Sequence, residues 1–388
     1  MMKINSYTEL LKLVNYRYSE ERDLFCDIKK LQQNFIGERQ QGYSFDERLV
    51  AAYTLFYLPT NFSKWQLLME KVQQEKEGKQ IIEKLKGLCE HAMFIDVGSG
   101  PGTFLLAFLN WMDRPFKGQI LAVEQSSVMR EQAQRLMEAF FPKVLDNCRW
   151  VTSLSQICVQ SDDRRNRRPK VLFFGHFLNE ITGRKQEEEV VMTAIEKLAP
   201  DFIFFIEPAT ADIFYTQILV WRARILGLGD YLQMFPCTVN NNCDCAGPCT
   251  KGSWCHQVGK AEADEGYHRI SQRVGIDRRY LPFSATIFRR KELSCGFRVD
   301  EVLAEDDGKI MGRVLRFLGE NKAGFFLELC VSAKMYSYEF WSVEIQKRKL
   351  SKLYMEKLRA ILVGDLIPLK VDRKLNDGRY RIVPEDWW

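Results

Sequence analysis

Residues 93–103 read MFIDVGSGPGT. The apolar run Met93–Val97 is strand-sized, and three glycines follow it at positions 98, 100 and 102. A helical stretch, Phe104–Met112, begins at once. Strand, glycine turn and helix in this order form a ligand-binding junction: glycine lets the backbone leave the strand sharply and approach a ligand closely. The helix N-terminus adds free N–H groups and positive potential for a carboxylate or for ribose hydroxyls. The candidate cofactor residues are Asp96, Gly98, Ser99, Gly100, Gly102 and Thr103. Glu124 joins them: it ends the next strand and can accept from both hydroxyls of a ribose. Dinucleotide binders show G-x-G-x-x-G, whereas the order here is G-S-G-P-G.

Outward from this junction, strand and helix alternate. Gln119–Glu124 is a second strand, and Ser126 or Ser127 caps a helix running to about Phe140. Cys148–Val151, Val171–Phe174 and Phe202–Glu207 are the third, fourth and fifth strands. Helices Lys185–Leu198 and Asp212–Leu226 follow the fourth and fifth. The alternation predicts a doubly wound α/β sheet. Tyr280–Arg290 reads as a strand that rejoins the sheet at its edge. Upstream, residues 1–90 read as a helical cap, with a break expected at Pro59 and a cap at Thr60 or Asn61. Residues 91–290 form the α/β domain, including a Cys-rich loop at 236–256. Residues 291–388 form a small basic β-rich region, with strands at Phe297–Val302, Lys309–Leu318, Gly324–Val331 and Glu339–Ile345, a helix Leu350–Leu362, and a basic tail.

Composition narrows the class. Of 388 residues, 46% are hydrophobic and 28% charged, which excludes wholesale disorder. No apolar run is long enough to span a bilayer, so no membrane is expected as a partner. The first residues lack an apolar signal core, and Glu9, Glu20, Glu21 and Asp23 argue against a transit peptide, so a cytoplasmic, reducing location is expected. There, clustered thiols point to metal rather than disulfides. Of eleven cysteines, Cys237, Cys243, Cys245, Cys249 and Cys255 crowd into one loop. No C-x-x-C knuckle occurs among them. Irregular loop ligands suit an iron–sulfur cluster at least as well as zinc. Cys26, Cys89, Cys148, Cys158 and Cys295 read as buried or incidental.

The net charge of +5 hides an uneven distribution: residues 341–381 carry eleven Lys and Arg against five Asp and Glu, a surplus of six. Trp341, Tyr354 and Tyr380 interleave with them, as phosphate contact plus base stacking requires. A second basic run is Arg164-Arg165-Asn166-Arg167-Arg168-Pro169-Lys170. On the catalytic side, the strand ends offer no cysteine nucleophile of the kind that cytosine-C5 methylation needs. The Asn/Asp-Pro-Pro-aromatic motif of amine methyltransferases is also absent. His176, Asn179 and Glu207 could act as a base or orienting group, or simply support a cofactor pocket.

The stretch Asp96–Thr103 resembles motif I of S-adenosylmethionine-dependent methyltransferases. Over roughly residues 45–370 the chain resembles the methyltransferase-like small-ribosomal-subunit assembly family, which comprises mitochondrial small-subunit proteins and their bacterial relatives. The resemblance runs through Tyr57-Leu58-Pro59-Thr60, the glycine loop, Phe177-Leu178-Asn179-Glu180-Ile181 and Phe205–Thr210. It continues through Pro236-Cys237-Thr238 with Cys243, Trp254-Cys255-His256, Phe326-Leu327-Glu328-Leu329-Cys330 and Gly364-Asp365. It implies a class-I S-adenosylmethionine methyltransferase-like fold and binding of S-adenosylmethionine. It also implies a [4Fe–4S] cluster on Cys237, Cys243, Cys255 and Cys330, with Cys249 as the alternative to Cys243. The implied partners are the small ribosomal subunit and its rRNA, bound by a monomer, either in subunit assembly or as an active rRNA methyltransferase. A zinc-binding methyltransferase-like protein is the remaining alternative.

Overall fold

The computed structural model describes residues 4, 6–36, 46–75, 78–158, 168–237, 254–261, 264–292, 310–334 and 337–384. Among the described residues, four helices precede the sheet: α1 (Tyr7–Leu13), α2 (Glu21–Ile36), α3 (Glu47–Gln73) and α4 (Gly78–Cys89). The sheet contains β1 (Met93–Val97), β2 (Gln119–Val123), β3 (Cys148–Val151), β4 (Lys170–Gly175), β5 (Phe202–Pro208), β6 (Tyr231–Phe235), β7 (Gln257–Lys260) and β8 (Tyr280–Arg290). Helices α5 (Thr103–Met112) and α6 (Ser127–Phe140) follow β1 and β2.

Strand order is β3-β2-β1-β4-β5-β8-β6, with β7 also pairing β8. The first five are mutually parallel. β8 runs antiparallel between β5 and β6. A parallel sheet whose last strand is inserted antiparallel next to the fifth is the class-I methyltransferase-like fold. The expected edge position of Tyr280–Arg290 is therefore corrected. Its outer flank is covered by β6 and β7, two short strands whose patterns are too brief to stand out from the loops around them.

Side-chain alternation divides the core between the two faces of the sheet. Phe94, Phe173 and Phe204 face α3 and α5, while Ile95, Val97, Leu172, Phe174, Ile203 and Phe205 form a second cluster with helices Lys185–Leu198 and Leu219–Gly227. Trp65 of α3 inserts among the first set, 5.3 Å from Phe173 and 5.4 Å from Phe204 between ring centres. The long helix thus lies in the core of the α/β unit.

Helix α3 does not break at Pro59. An interior proline costs about 3 kcal/mol, but α3 is buried nearly all round, and its packing outweighs that cost. Neighbouring hydroxyls bond back to carbonyls, Thr60 to Tyr57 and Ser63 to Pro59. Thr60 and Asn61 accordingly lie inside the helix rather than capping a new one.

The C-terminal region is a closed barrel of β9 (Ile310–Glu320), β10 (Gly324–Lys334), β11 (Ser337–Gln346), β12 (Leu366–Lys374) and β13 (Tyr380–Pro384). The expected basic tail is in fact two strands that close it. Order around the barrel is β10-β11-β13-β12-β9, β11 and β13 are parallel, and helix Lys352–Ala360 joins β11 to β12. This is the Greek-key order of an OB fold. Val314, Leu327, Leu329, Val343, Ile345 and Ile382 fill its interior. The expected strand Phe297–Val302 lies outside the described residues.

Candidate functional site

The glycine loop stands at the C-terminal ends of β1 and β2. Gly98 and Ser99 both donate to the carbonyl of Val123, and Gly102 donates to Ser99 O. Gly98, Gly100 and Gly102 all have left-handed φ, at 69°, 53° and 78°. At Gly98 an added Cβ would lie 2.5 Å from the Phe177 ring; at Gly100 it would meet nothing within 4 Å. The loop is pressed against the β4 turn on one side and open on the other.

Glu124 is held by the loop that it would serve. Its carboxylate accepts from Gly100 N at 3.0 Å and Ser126 N at 2.8 Å, leaving lone pairs on both oxygens. Asp96 is buried, and among the described residues its Oδ2 has no partner; neither do the Ser99 and Thr103 hydroxyls. Burial pushes the Asp96 carboxyl up to about 8, against a hydrogen bond from Leu105 N–H and with help from the Glu124 charge. Unpartnered buried polar atoms need a ligand or water. A hydroxyl- and ammonium-bearing cofactor such as S-adenosylmethionine supplies such partners, so the residues fit it.

The turn after β4 brings His176, Asn179 and Glu207 together. Glu207 is fully buried, and its Oε1 accepts from Phe177 N and Leu178 N at 3.2 and 2.9 Å. With its amide nitrogen turned toward them, Asn179 donates to His176 O at 3.0 Å and Glu207 Oε2 at 2.9 Å. These two residues hold the turn. His176, at φ 55°, instead points its Nε2 to Lys64 Nζ, 2.8 Å away. Burial first, then the Lys64 and Arg278 charges, hold His176 well below the usual imidazole range. Burial also pushes Glu207 up to about 8 and Glu180 up to about 7, the latter aided by Glu124.

Sequence reading missed the α3 side of this site. Lys64 is 4% exposed and donates to Asn61 Oδ1 at 2.9 Å. Asn61 in turn lies 3.4 Å from the Tyr53 hydroxyl. The available signal was a lysine and an asparagine three residues apart within the mostly apolar run Leu49–Met69 of α3.

The thiol group is partly within the described residues. Cys237 accepts from Gln233 Nε2 at 3.2 Å, and Cys255 follows Trp254, whose ring stacks on His256 at 5.0 Å. Cys330 of β10 is the cross-strand partner of Arg313 of β9, so the two side chains share a face. That face is the outer one, since the adjacent pair Leu329 and Val314 points into the barrel core. Arg313 is 5% exposed, and it binds the Glu75 carboxylate, Pro236 O and Gly364 O. Its guanidinium lies 5.2 Å from the Phe235 ring centre. Burial disfavours its charge, but Glu75, Cys255 and Cys237 outweigh burial and push its pKa up. Among the described residues, no group of three or more His, Cys, Asp or Glu is arranged to hold a metal ion. Cys243, Cys245, Cys249 and Cys295 lie outside the described residues. Of the incidental set, Cys89 is buried and Cys26 is exposed.

Asp365 pairs with Lys71 of α3, which together with Arg313–Glu75 ties the barrel to the α/β unit. On the barrel, Lys370, Arg373 and Lys374 of β12 are exposed. Trp341 is only 7% exposed and stacks on Tyr380 at 4.1 Å, so these two rings face each other rather than presenting two separate stacking surfaces. Arg164, Arg165, Asn166 and Arg167 lie outside the described residues, and Lys170 donates to Leu198 O, a structural use. No helix among the described residues is long and apolar enough to cross a membrane.

No family model matches the chain, and no curated protein matches it in sequence. Solved structures give distant likenesses. A candidate RNA methyltransferase from Pyrococcus horikoshii is 10% identical, covering 70% of this chain and 99% of its own at a TM-score of 0.33. An O-methyltransferase family protein from Burkholderia thailandensis is 14% identical, covering 69% and 71% at 0.33. An rRNA methylase from Streptococcus thermophilus is 8% identical, covering 54% and 94% at 0.32. The fold rests on the strand order above, to which likenesses of this size add nothing.

Proposed function

We propose that this chain binds S-adenosylmethionine in the glycine loop and binds small-subunit rRNA through its barrel, as an assembly factor of the small ribosomal subunit. A [4Fe–4S] cluster would staple loop 236–256 to the barrel through Cys237, Cys243, Cys255 and Cys330, with Cys249 as the alternative to Cys243. The observation that carries this reading is Arg313. Its guanidinium donates to Pro236 O beside Cys237, the Cys255 and Cys237 thiols act on its charge, and Cys330 is its cross-strand partner, which supports a cluster between loop and barrel. Three soft thiol donors suit iron–sulfur or zinc. The OB-type strand order and the exposed cations of β12 support RNA as the partner.

The test is small-subunit affinity of Cys237→Ser and Cys330→Ser, with iron, sulfide and zinc measured under anaerobic conditions. Loss of iron together with weaker subunit binding is expected. Unchanged affinity would sink the link between cluster and ribosome, and zinc in place of iron would select the zinc alternative. A second reading, an active rRNA methyltransferase, is favoured by the Lys64–His176 contact at the end of β4. Tritiated methyl transfer to small-subunit RNA that disappears in Gly98→Arg would establish it. Cofactor binding without transfer would leave the assembly role.

A further inference from the structure

The face of α3 that meets the β4 turn carries polar groups that holding a cofactor does not use. Tyr53, Tyr57, Asn61 and Lys64 are spaced by four, four and three residues and so share one helix face. At one end of this row, the Glu124 and Glu180 charges act on the Tyr53 hydroxyl. At the other end, Lys64 meets His176, the residue before Phe177, whose ring packs on Gly98. The row therefore runs from the ribose acid to the end of β4. Between them the Tyr57 hydroxyl, in a residue only 7% exposed, is buried without a partner among the described residues; Arg278 Nε likewise lacks one there, and its guanidinium lies 5.4 Å from the Tyr57 ring centre.

Lys64 is unusual in its partners. An ammonium has three hydrogens to place. Its described partners are an amide oxygen and an imidazole nitrogen, and the imidazole accepts only when that nitrogen is unprotonated. Among the described residues no carboxylate is within ion-pair distance of it. We propose that Lys64, in contact with His176, accepts the proton of a methyl acceptor bound against this face of α3, beside the unpartnered Tyr57 hydroxyl and Arg278 Nε, and that the acceptor is an oxygen or nitrogen nucleophile bearing a hydrogen. This rests on the methyltransferase reading above. The acceptor's lone pair forms the bond to the methyl carbon as the carbon–sulfur bond breaks. That bond's electrons neutralise the sulfonium, and the acceptor's proton passes to Lys64 Nζ. The missing cysteine at the β4 and β5 ends agrees with an oxygen or nitrogen acceptor, since these need no covalent activation. The groups that face Lys64 are His176 from the β4 turn, Glu207 from β5 and Arg278 from the segment before β8. Burial, then the Arg278 charge, push Lys64 down to about 7 with Glu207 opposing, so a neutral amine is present near neutral pH.

The experiment is calorimetry on the full chain with S-adenosylmethionine and with S-adenosylhomocysteine, in buffers of different ionisation enthalpy. The sulfonium charge drives the proton off Lys64. At pH 7 the wild type should therefore release more proton with the sulfonium ligand than Lys64→Met does, by up to about half a proton for a group titrating near 7. Lys64→Arg, which fills the space but keeps its charge, should bind the sulfonium ligand about tenfold more weakly than the wild type at pH 8, equivalent to one unit of pKa coupling. A structural lysine would change stability without changing the proton count. Equal proton release by wild type and Lys64→Met, with Lys64→Arg binding as tightly as wild type, overturns the proposal. Failure of the folded wild type to bind either ligand overturns instead the cofactor reading beneath it.

Discussion

Replacing Arg313 with methionine tests the joint between barrel and α/β unit. Methionine keeps much of the side chain's apolar length but removes the guanidinium. The Glu75 carboxylate then loses its cation, and the carbonyls of Pro236 and Gly364 lose a donor, in a place where Arg313 is 5% exposed. Breaking a buried pair by removing one partner costs about 3–5 kcal/mol, most of it from the stranded charge. Because the stranded charge dominates, Glu75→Gln in the Arg313→Met background should restore about 1–3 kcal/mol. Urea denaturation measures both variants, with amide exchange of β9 and β10 assigning the barrel's transition. Below about 1 kcal/mol of loss for Arg313→Met, or with strict additivity in the double variant, the joint does not depend on this pair.

Gly98→Ala and Gly100→Ala share a left-handed cost of about 1–2 kcal/mol, but only Gly98→Ala also drives a Cβ into Phe177, so thermal melts should rank it clearly less stable; equal melts would contradict the close packing. Asp96 titrates at about 8 folded and near 3.8 unfolded, so between these values the folded chain holds the extra proton and stability falls as pH rises. Asp96→Asn should reduce that fall by about 1 kcal/mol or more between pH 5 and pH 8, and an unchanged slope would show that Asp96 is ionised. Lys370→Glu with Arg373→Glu should weaken small-subunit RNA binding and reduce its salt dependence by about two counterions; an unaltered salt slope would move the RNA surface elsewhere.

The α/β core was legible because its signals are local. Short apolar runs, glycine at positions with left-handed φ, and Ser126 accepting from Met129 N at 3.3 Å each act within a few residues. The long-range features were not legible. Nothing near Pro59 says that burial will carry α3 through it, and nothing in Tyr280–Arg290 says that β6 and β7 will cover its outer flank. The barrel's last two strands read as a charged tail because Lys370–Lys374 face solvent, which conceals the inward alternation of Ile367 and Leu369. At the site, the residues on the sheet side were found through motifs, whereas Lys64, Asn61 and Arg313 depend on tertiary contacts. His176, Asn179 and Glu207 were chemically able to serve as a base or orienting group; Glu207 and Asn179 spend their hydrogen bonds on the β4 turn, while His176 contacts the Lys64 amine.

The most direct measurement is calorimetric titration of the full chain with S-adenosylmethionine. The account predicts saturable binding to one site, weakened about ten- to a hundredfold in Glu124→Gln, as loss of a charged hydrogen-bond acceptor implies, and abolished in Gly98→Arg. A folded wild-type chain that shows no saturable binding up to about 1 mM ligand would contradict it.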